Sequence, residues 1–255
     1  MNSATVRSLL VRGMLAGLGA GLLALVVAYL LGERQVDAAI AYEDAHTTEH
    51  GMEIVSRSLQ STAGLATGVL IYGVSLGGIA ALAYCFALGR IGRFTPRATA
   101  ALLSGTALLA VYVVPFLKYP ANPPSIGDPA TIGKRTTLYF LMTALSVLLA
   151  VATVIVGKRL ALRLGNWNAT VTAVLGFSVA VGLAYAFLPA VNEVPQGFSA
   201  TLLWQFRLAA LAIQMTLWAS FGLLFGRLAE RVISPKPIAA TTARDTASET
   251  AAPVQ

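Results

Sequence analysis

Long apolar stretches alternate with short polar ones along almost the whole chain. Six of these stretches contain about 20 residues each, enough for a helix of about 30 Å, the thickness of the hydrocarbon core of a bilayer. They lack the alternation of apolar and polar residues that marks the strands of a membrane β-barrel, so helices are the structure in which their backbone groups find partners in lipid. The six predicted helices cover residues 9–31, 62–88, 99–117, 136–157, 169–188 and 205–226.

The composition supports the same conclusion. Of the 255 residues, 56% are hydrophobic and 11% are charged, and the mean hydropathy is +0.73. A water-soluble domain has about 25% charged residues. We therefore predict an all-α fold, a polytopic integral membrane bundle of six transmembrane helices within residues 1–233. Residues 234–255 offer nothing to bury and are predicted to form a disordered cytoplasmic tail.

The basic residues indicate which side of the membrane each connection occupies. With six spans both termini share a side, and this side, with connections 89–98 and 158–168, carries 12 of the 18 Lys and Arg residues. Because positive charge is retained in the cytoplasm, both termini are predicted to be cytoplasmic. Eight of the 11 acidic residues lie on the opposite, outer side. The bases are scattered over short connections and form no tract for nucleic acid, so we expect the bilayer, and no nucleic acid, as their partner.

Two glycine patterns bear on how the helices pack. A glycine followed by a base ends each even-numbered helix, at Gly89, Gly157 and Gly226, which suggests three repeated helical hairpins. Glycine and arginine are also common at cytoplasmic helix ends, so this alternative stays open. Glycines at four-residue spacing let helix backbones approach closely, within the bundle or with a second subunit. These stripes are Gly13, Gly17 and Gly21, Gly64 and Gly68, Gly73 and Gly77, and Gly222 and Gly226.

Ionisable side chains concentrate in the outer connection 32–61, which contains both histidines of the chain. If this segment is helical, His46 and His50 lie one turn apart on one face, with Glu43 three residues before His46. Glu53 follows His50 by three residues. Imidazole and carboxylate ligands suit divalent cobalt, nickel and zinc. The four side chains are therefore candidate metal ligands, and an exposed acidic helix that binds no metal is the alternative.

Proline-rich turns follow the third and the fifth predicted helices. A proline ends a helix and leaves carbonyl groups without backbone donors, so these turns could supply oxygen ligands at an outer mouth. The alternative is that their asparagines only cap the local backbone. The candidate mouth residues are Asn122, Asp128, Asn192 and Glu193. Within the spans, Gln214 and several hydroxyl groups either form an uncharged polar path or make ordinary hydrogen bonds between helices.

Enzyme signatures are missing from the sequence. It has no phosphate-binding P-loop, no Gly-x-Ser-x-Gly, no His-Glu-x-x-His and no pair of carboxylates within one span. The lone Cys85 leaves neither an internal disulfide nor a thiolate cluster for a metal. We expect a protein that is not an enzyme and that holds no permanent cofactor.

Three stretches of sequence resemble a known family. They are Gly32 to Asp37 with Glu43 after it, Pro115 to Pro124 (PFLKYPANPP), and Pro189 to Pro195 (PAVNEVP). Together they resemble the CbtA family of predicted cobalt transporter subunits, over residues 8–227. The resemblance implies a multi-pass protein of the cytoplasmic (inner) membrane, with Co²⁺ as the transported ion and cobalamin synthesis as its use. It also implies a partner, CbtB, a short single-span subunit with a histidine-rich end.

Two functional hypotheses follow. The first is a membrane subunit that moves Co²⁺ or a similar divalent cation inward, with the outer histidines and glutamates as the capture site and the two Pro/Asn turns as the mouth. The second is a non-transporting membrane scaffold that stabilises a small partner membrane protein through the glycine stripes.

Overall fold

The computed structural model describes residues 1–46, 55–124, 126–127 and 129–234. Within these ranges every regular element is a helix and no strand occurs, as predicted. In this part of the chain five helices are long and apolar enough to cross a membrane. The α-helices are α1 (Ser3–Val27), α2 (Glu33–His46), α3 (Arg57–Leu59), α4 (Leu65–Ala87), α5 (Pro96–Ala107), α6 (Val114–Lys118), α7 (Ile132–Phe187) and α8 (Ala200–Ile233).

Three π-helical turns join consecutive α-helices without interrupting the helical path. Ala28–Gly32 joins α1 to α2, Gln60–Gly64 joins α3 to α4, and Leu108–Val113 joins α5 to α6. Ser3–His46 is consequently one helix of 44 residues. This corrects the expectation that the first helix ends near residue 31 and that a loop follows. The polar residues of α2 contain neither glycine nor proline, so nothing in them stops the helix, which extends about 21 Å beyond the apolar part.

α7 consists of two helical arms that fold back on each other at Gly165. The backbone of Gly165 has φ 73° and ψ 166°, a conformation that glycine adopts at little cost. A β-carbon on Gly157 would lie 3.3 Å from Cβ of Ala173, whereas the same stretch of straight helix would span about 24 Å. Met142 and Ala184 likewise belong to one buried cluster. The fourth and fifth predicted segments are therefore the two arms of α7.

The main core lies where α1 packs along α4 and α8, and where α8 packs along α5. Glycines set the distance between α1 and α4. A β-carbon on Gly17 would lie 2.1 Å from the carbonyl oxygen of Gly73, and one on Gly77 would lie 2.3 Å from the carbonyl oxygen of Gly13. The predicted close approach is thus confirmed at these four positions, where it is a contact within the chain, whereas Gly64 and Gly68 approach no other long helix of the described chain.

A second buried cluster joins the arms of α7 to α6. The Tyr185 hydroxyl donates to the carbonyl oxygen of Val114, and Nζ of Lys118 donates to the carbonyl oxygen of Tyr185 at 2.7 Å. The Tyr119 hydroxyl donates to the carbonyl oxygen of Pro189 at 2.8 Å. These bonds bring the turn after α6 and the turn after α7 together at one end of the bundle.

Candidate functional site

Carboxylates on α2 extend beyond the apolar part of the first helix. Glu33 and Asp37 lie one turn apart, and both contact the guanidinium group of Arg57 at the start of α3. Nη2 of Arg57 lies 2.9 Å from Oδ1 of Asp37, and Nε donates to the same oxygen at 3.0 Å. These ion pairs tie the first long helix to the start of the second and occupy two of the carboxylates of α2.

His46, the last residue of α2, is oriented by its own helix. Its Nδ1 lies 2.8 Å from the carbonyl oxygen of Tyr42, and the two rings stack with centroids 4.1 Å apart. Tyr42 in turn packs edge-on against Phe198, with centroids 5.1 Å apart. Since a carbonyl oxygen only accepts, Nδ1 is the donor, and in the neutral imidazole Nε2 carries the lone pair. Metal-bound histidines commonly show this arrangement.

The other predicted capture residues are only partly placed. Glu43 lies three residues before His46 on α2, so the two side chains share a face of the helix. His50 and Glu53 lie outside the described residues. Among the residues that the structure describes, no group of three or more His, Cys, Asp or Glu side chains could hold a metal ion. A capture site in this segment therefore depends on ligands that follow His46 in the chain.

Glu193 is the central residue of the predicted mouth, and its side chain is only 5% exposed. Oε2 accepts a hydrogen bond from Nη1 of Arg135 at 2.9 Å, and Oε1 accepts one from the Thr131 hydroxyl. A β-carbon on Gly127, where φ is 145°, would lie 3.1 Å from Oε2, so the turn after α6 closes directly onto the carboxylate. Charged hydrogen bonds of this kind are about twice as strong as neutral ones, and they hold Glu193 in place.

Asn122 is held by an arginine from α8. Nη2 of Arg207 donates to Oδ1 of Asn122 at 3.0 Å, and Nε donates to the carbonyl oxygen of Ala121 at 3.2 Å. Asn122, Asn192 and Glu193 line one cavity of about 20 Å³ together with Arg135 and Arg207. This is about the room that one or two water molecules need. The structure thus brings three of the four predicted mouth residues together, and the fourth, Asp128, lies outside the described residues.

The described lining of this cavity contains two guanidinium groups and one carboxylate. Arg135 neutralises Glu193, while both groups that accept from Arg207 are uncharged. In the sequence both arginines counted only as outer charges, and their contacts with Glu193 and Asn122 were not predicted. Tyr119 closes the cavity from the turn after α6, and burial raises the pKa of its hydroxyl. The cavity in this conformation suits water or a small anion better than a cation.

One carbonyl group that a proline leaves without a backbone donor is bonded by a side chain of another helix. Pro115 has no N–H, so the carbonyl oxygen of Ala110 in the preceding π-helical turn lacks a backbone donor five residues on. The buried Ser146 hydroxyl donates to that oxygen from α7, as Tyr185 does to Val114. These two carbonyl groups therefore join α7 to α6.

Gln214 lies in α8 on the side of the bundle where Tyr72 of α4 approaches. The Tyr72 hydroxyl interacts with the Gln214 amide group, and Tyr112 and Tyr139 lie within electrostatic reach of Tyr72. The predicted intramembrane polar residue is thus part of a group of polar side chains contributed by several helices.

Comparison with known proteins gives one match. The family model described as "Probable cobalt transporter subunit (CbtA)" matches residues 6–230. No curated protein and no solved structure matches the chain. The matched range includes the five long apolar helices except for three residues at the start of the first and three at the end of the last, together with the cavity at Glu193 and Gln214.

Proposed function

Because the chain belongs to the CbtA family of probable cobalt transporter subunits, we propose that it carries Co²⁺ inward across the cytoplasmic membrane for cobalamin synthesis. The observation that carries this proposal is the family match over residues 6–230, and polar residues from separate elements also converge at one end of the apolar bundle. Asn122, Asn192, Glu193, Arg135 and Arg207 line one cavity there. A transport role also agrees with the absence of enzyme signatures in the sequence.

We infer six membrane crossings, with both termini in the cytoplasm. The fold-back of α7 at Gly165 supports two crossings within this one helix, since Gly157 and Ala173 lie side by side. Lys158, Arg159 and Arg163 surround this turn, and such a basic turn is retained in the cytoplasm. In this inferred topology α2 and the cavity at Glu193 lie on the outer side.

In the proposed mechanism, α2 captures the ion. Glu43 and His46 begin the site, and His50 and Glu53 complete it from the segment that follows. The orientation of His46 supports this step, because the hydrogen bond from Nδ1 to Tyr42 leaves Nε2 for the metal. Its exposed position at the end of a rigid helix also keeps the imidazole in contact with the outer solution.

The mouth, formed by Asn122, Asp128, Asn192 and Glu193, acts next. For a cation to bind there, the Glu193 carboxylate must leave Arg135 and bind the metal instead. Removing one partner from a buried ion pair costs about 3–5 kcal/mol, so the exchange is favourable only when the ion itself replaces the lost charge. The mouth would then open to cations and stay closed without them.

A partner subunit similar to CbtB, with one span, completes the proposed transporter. The scaffold hypothesis has less support, because Gly13, Gly17, Gly73 and Gly77 pack against each other and offer no free surface to a partner. A scaffold would give no metal flux even with its partner present, which separates the two roles.

Uptake of radioactive cobalt by cells that express the protein, with and without CbtB, tests the proposal. We compare the wild type with two paired variants, His46→Ala with His50→Ala, and Asn192→Ala with Glu193→Ala. Gln196→Ala, an exposed polar position in the same turn, is the matched control. Loss of uptake in either paired variant, with the control active, supports the corresponding step. Wild-type protein that gives no uptake in any combination would refute cobalt transport.

The mouth variant needs a folding control, since Glu193 holds Arg135 and Thr131. Glu193→Gln keeps acceptor and donor atoms at this position but removes the charge. If Glu193→Gln is present in the membrane at wild-type level and uptake is lost, the charge itself serves transport. If uptake is unchanged, Glu193 has a structural role and the proposed ion exchange is wrong.

A further inference from the structure

One face of α8 leads from the outer cavity into the bundle. Arg207, Gln214 and Trp218 follow one another at intervals of seven and four residues, which places all three on the same face of the helix. At about 1.5 Å per residue, Gln214 lies about 10 Å and Trp218 about 16 Å deeper than Arg207. α8 has no charged side chain between Arg207 and Arg227. The polar groups on this face of α8 inward of Arg207 are therefore uncharged.

Two atoms on this face are buried without a hydrogen-bond partner in the described part of the chain, Oε1 of Gln214 and Nε1 of Trp218. Trp218 is only 5% exposed. Leaving a buried polar atom unpaired is unfavourable, and roughly 90% or more of buried polar groups have a partner, either protein or ordered water. An amide oxygen accepts and an indole N–H donates. A ligand that satisfies both must donate and accept at once.

The surroundings favour water over a bare cation. Tyr72 adds a hydroxyl group beside the Gln214 amide, so the site contains a third group that can both donate and accept. A divalent cation would find one neutral amide oxygen there, while the indole N–H of Trp218 would repel it. Water matches the whole set, because it donates to Oε1 and accepts from Nε1.

Deeper along α8 the polar face ends at aromatic rings. Phe221 lies edge-on to Trp218 with centroids 6.3 Å apart, and it stacks on Phe225 with centroids 5.2 Å apart. Tyr84 of α4 contacts Phe225 edge-on at 5.0 Å. These packed rings separate the Gln214–Trp218 pair from the cytoplasmic end in this conformation.

We propose that Gln214 and Trp218 bind water inside the helix bundle, and that the transported divalent cation passes this point through its water shell. Oε1 of Gln214 accepts from a water bound to the ion, and Nε1 of Trp218 donates to a water beyond it. The transport part of this inference rests on the proposed function, whereas the water site depends only on the two unpaired atoms.

Hydroxyl-radical labelling of the purified full-length protein, read by mass spectrometry, tests the water site. Radicals form from water, so Trp218 is labelled despite its burial if water is bound beside it. Phe225, which is 0% exposed and lies beyond the rings, stays unlabelled. Gln214→Leu removes the acceptor and lowers the labelling of Trp218 several-fold. Labelling of Trp218 that is as low as that of Phe225, or that is unchanged in Gln214→Leu, overturns the proposal.

Cobalt uptake tests the role of this water. We expect Gln214→Leu to lower uptake about tenfold, and Gln205→Leu, the same change at an exposed position of α8, to leave it unchanged. Gln214→Asn, which keeps an amide, should retain part of the uptake and serves if the leucine variant fails to fold. Normal uptake in a folded Gln214→Leu variant refutes the transport role. If the wild type itself transports no cobalt, the proposed function fails, and labelling still decides whether water binds.

Discussion

Gly17 tests whether the glycine contact between α1 and α4 holds the bundle together. A methyl group there would lie 2.1 Å from the carbonyl oxygen of Gly73 and 3.0 Å from Cα of Gly77. Because carbon–oxygen contacts between helices are about 3.3 Å or longer, Gly17→Ala moves the two backbones about 1.2 Å apart. Backbone atoms cannot rotate away, and a gap of this size forfeits at least about half of the dispersion energy across the interface. We expect a loss of about 3 kcal/mol, the upper end for overpacking.

Thermal unfolding of the purified protein in detergent measures this loss. At about 2–4 °C per kcal/mol for a chain of this size, Gly17→Ala should unfold about 6–12 °C below the wild type. Gly68→Ala in α4 is the matched control, since no atom lies within 4 Å of its added β-carbon. The control should unfold at or slightly above the wild-type temperature, because alanine favours helix. Equal unfolding temperatures for Gly17→Ala and the wild type would refute the assigned contact.

Three further substitutions test single interactions by the same measurement. Arg135→Met leaves the buried carboxylate of Glu193 without its cation and should lower the free energy of unfolding by about 3 kcal/mol. This loss should exceed that of Glu193→Gln, and a larger loss in Glu193→Gln would contradict the assigned ion pair. Burial raises the pKa of Tyr119, so its contribution to stability is complete below about pH 10 and is lost as the pH rises through the raised value. Between pH 9 and pH 11.5, about the range of phenol ionisation, the free energy of unfolding of Tyr119→Phe should therefore fall less than that of the wild type. Equal falls would show that ionisation of Tyr119 does not lower the stability. Ser146→Ala leaves a buried backbone carbonyl without its donor and should cost about 1–3 kcal/mol, whereas Ser178→Ala, at an exposed position, should be neutral.

Apolar length predicts where the long helices run, because burial of the backbone in lipid requires helix. It could not predict α2, since five charged residues interrupt the apolar ones from Glu33 to His46, and the helix there depends on the absence of glycine and proline. The turn at Gly165 falls within the predicted connection 158–168, but the helical structure continues up to it on both sides. Hydropathy therefore gives the apolar part of each helix and leaves its polar continuation undetermined.

Part of the site could also be predicted from sequence. Asn122, Asn192 and Glu193 come from two turns with the same Pro/Asn composition, and the structure brings both turns to one cavity. Their partners could not be predicted, because Arg135 and Arg207 meet them only through the packing of α6 on α7 and of the turns on α8. His50, Glu53 and Asp128 lie outside the described residues and stay predictions.

The charges at the outer end suggest that capture and entry are separate steps. In the proposed topology α2 extends Glu43 and His46 into the outer solution, where negative charge would raise the local concentration of cations. The described lining of the cavity has the opposite character, since Arg135 already pairs with Glu193 and Arg207 adds a second positive charge. A cation concentrated by α2 is therefore not drawn directly into the cavity. In the proposed mechanism it enters by replacing Arg135 on Glu193, so the ion pair that holds the turns together would also limit entry to an ion that can take over its charge.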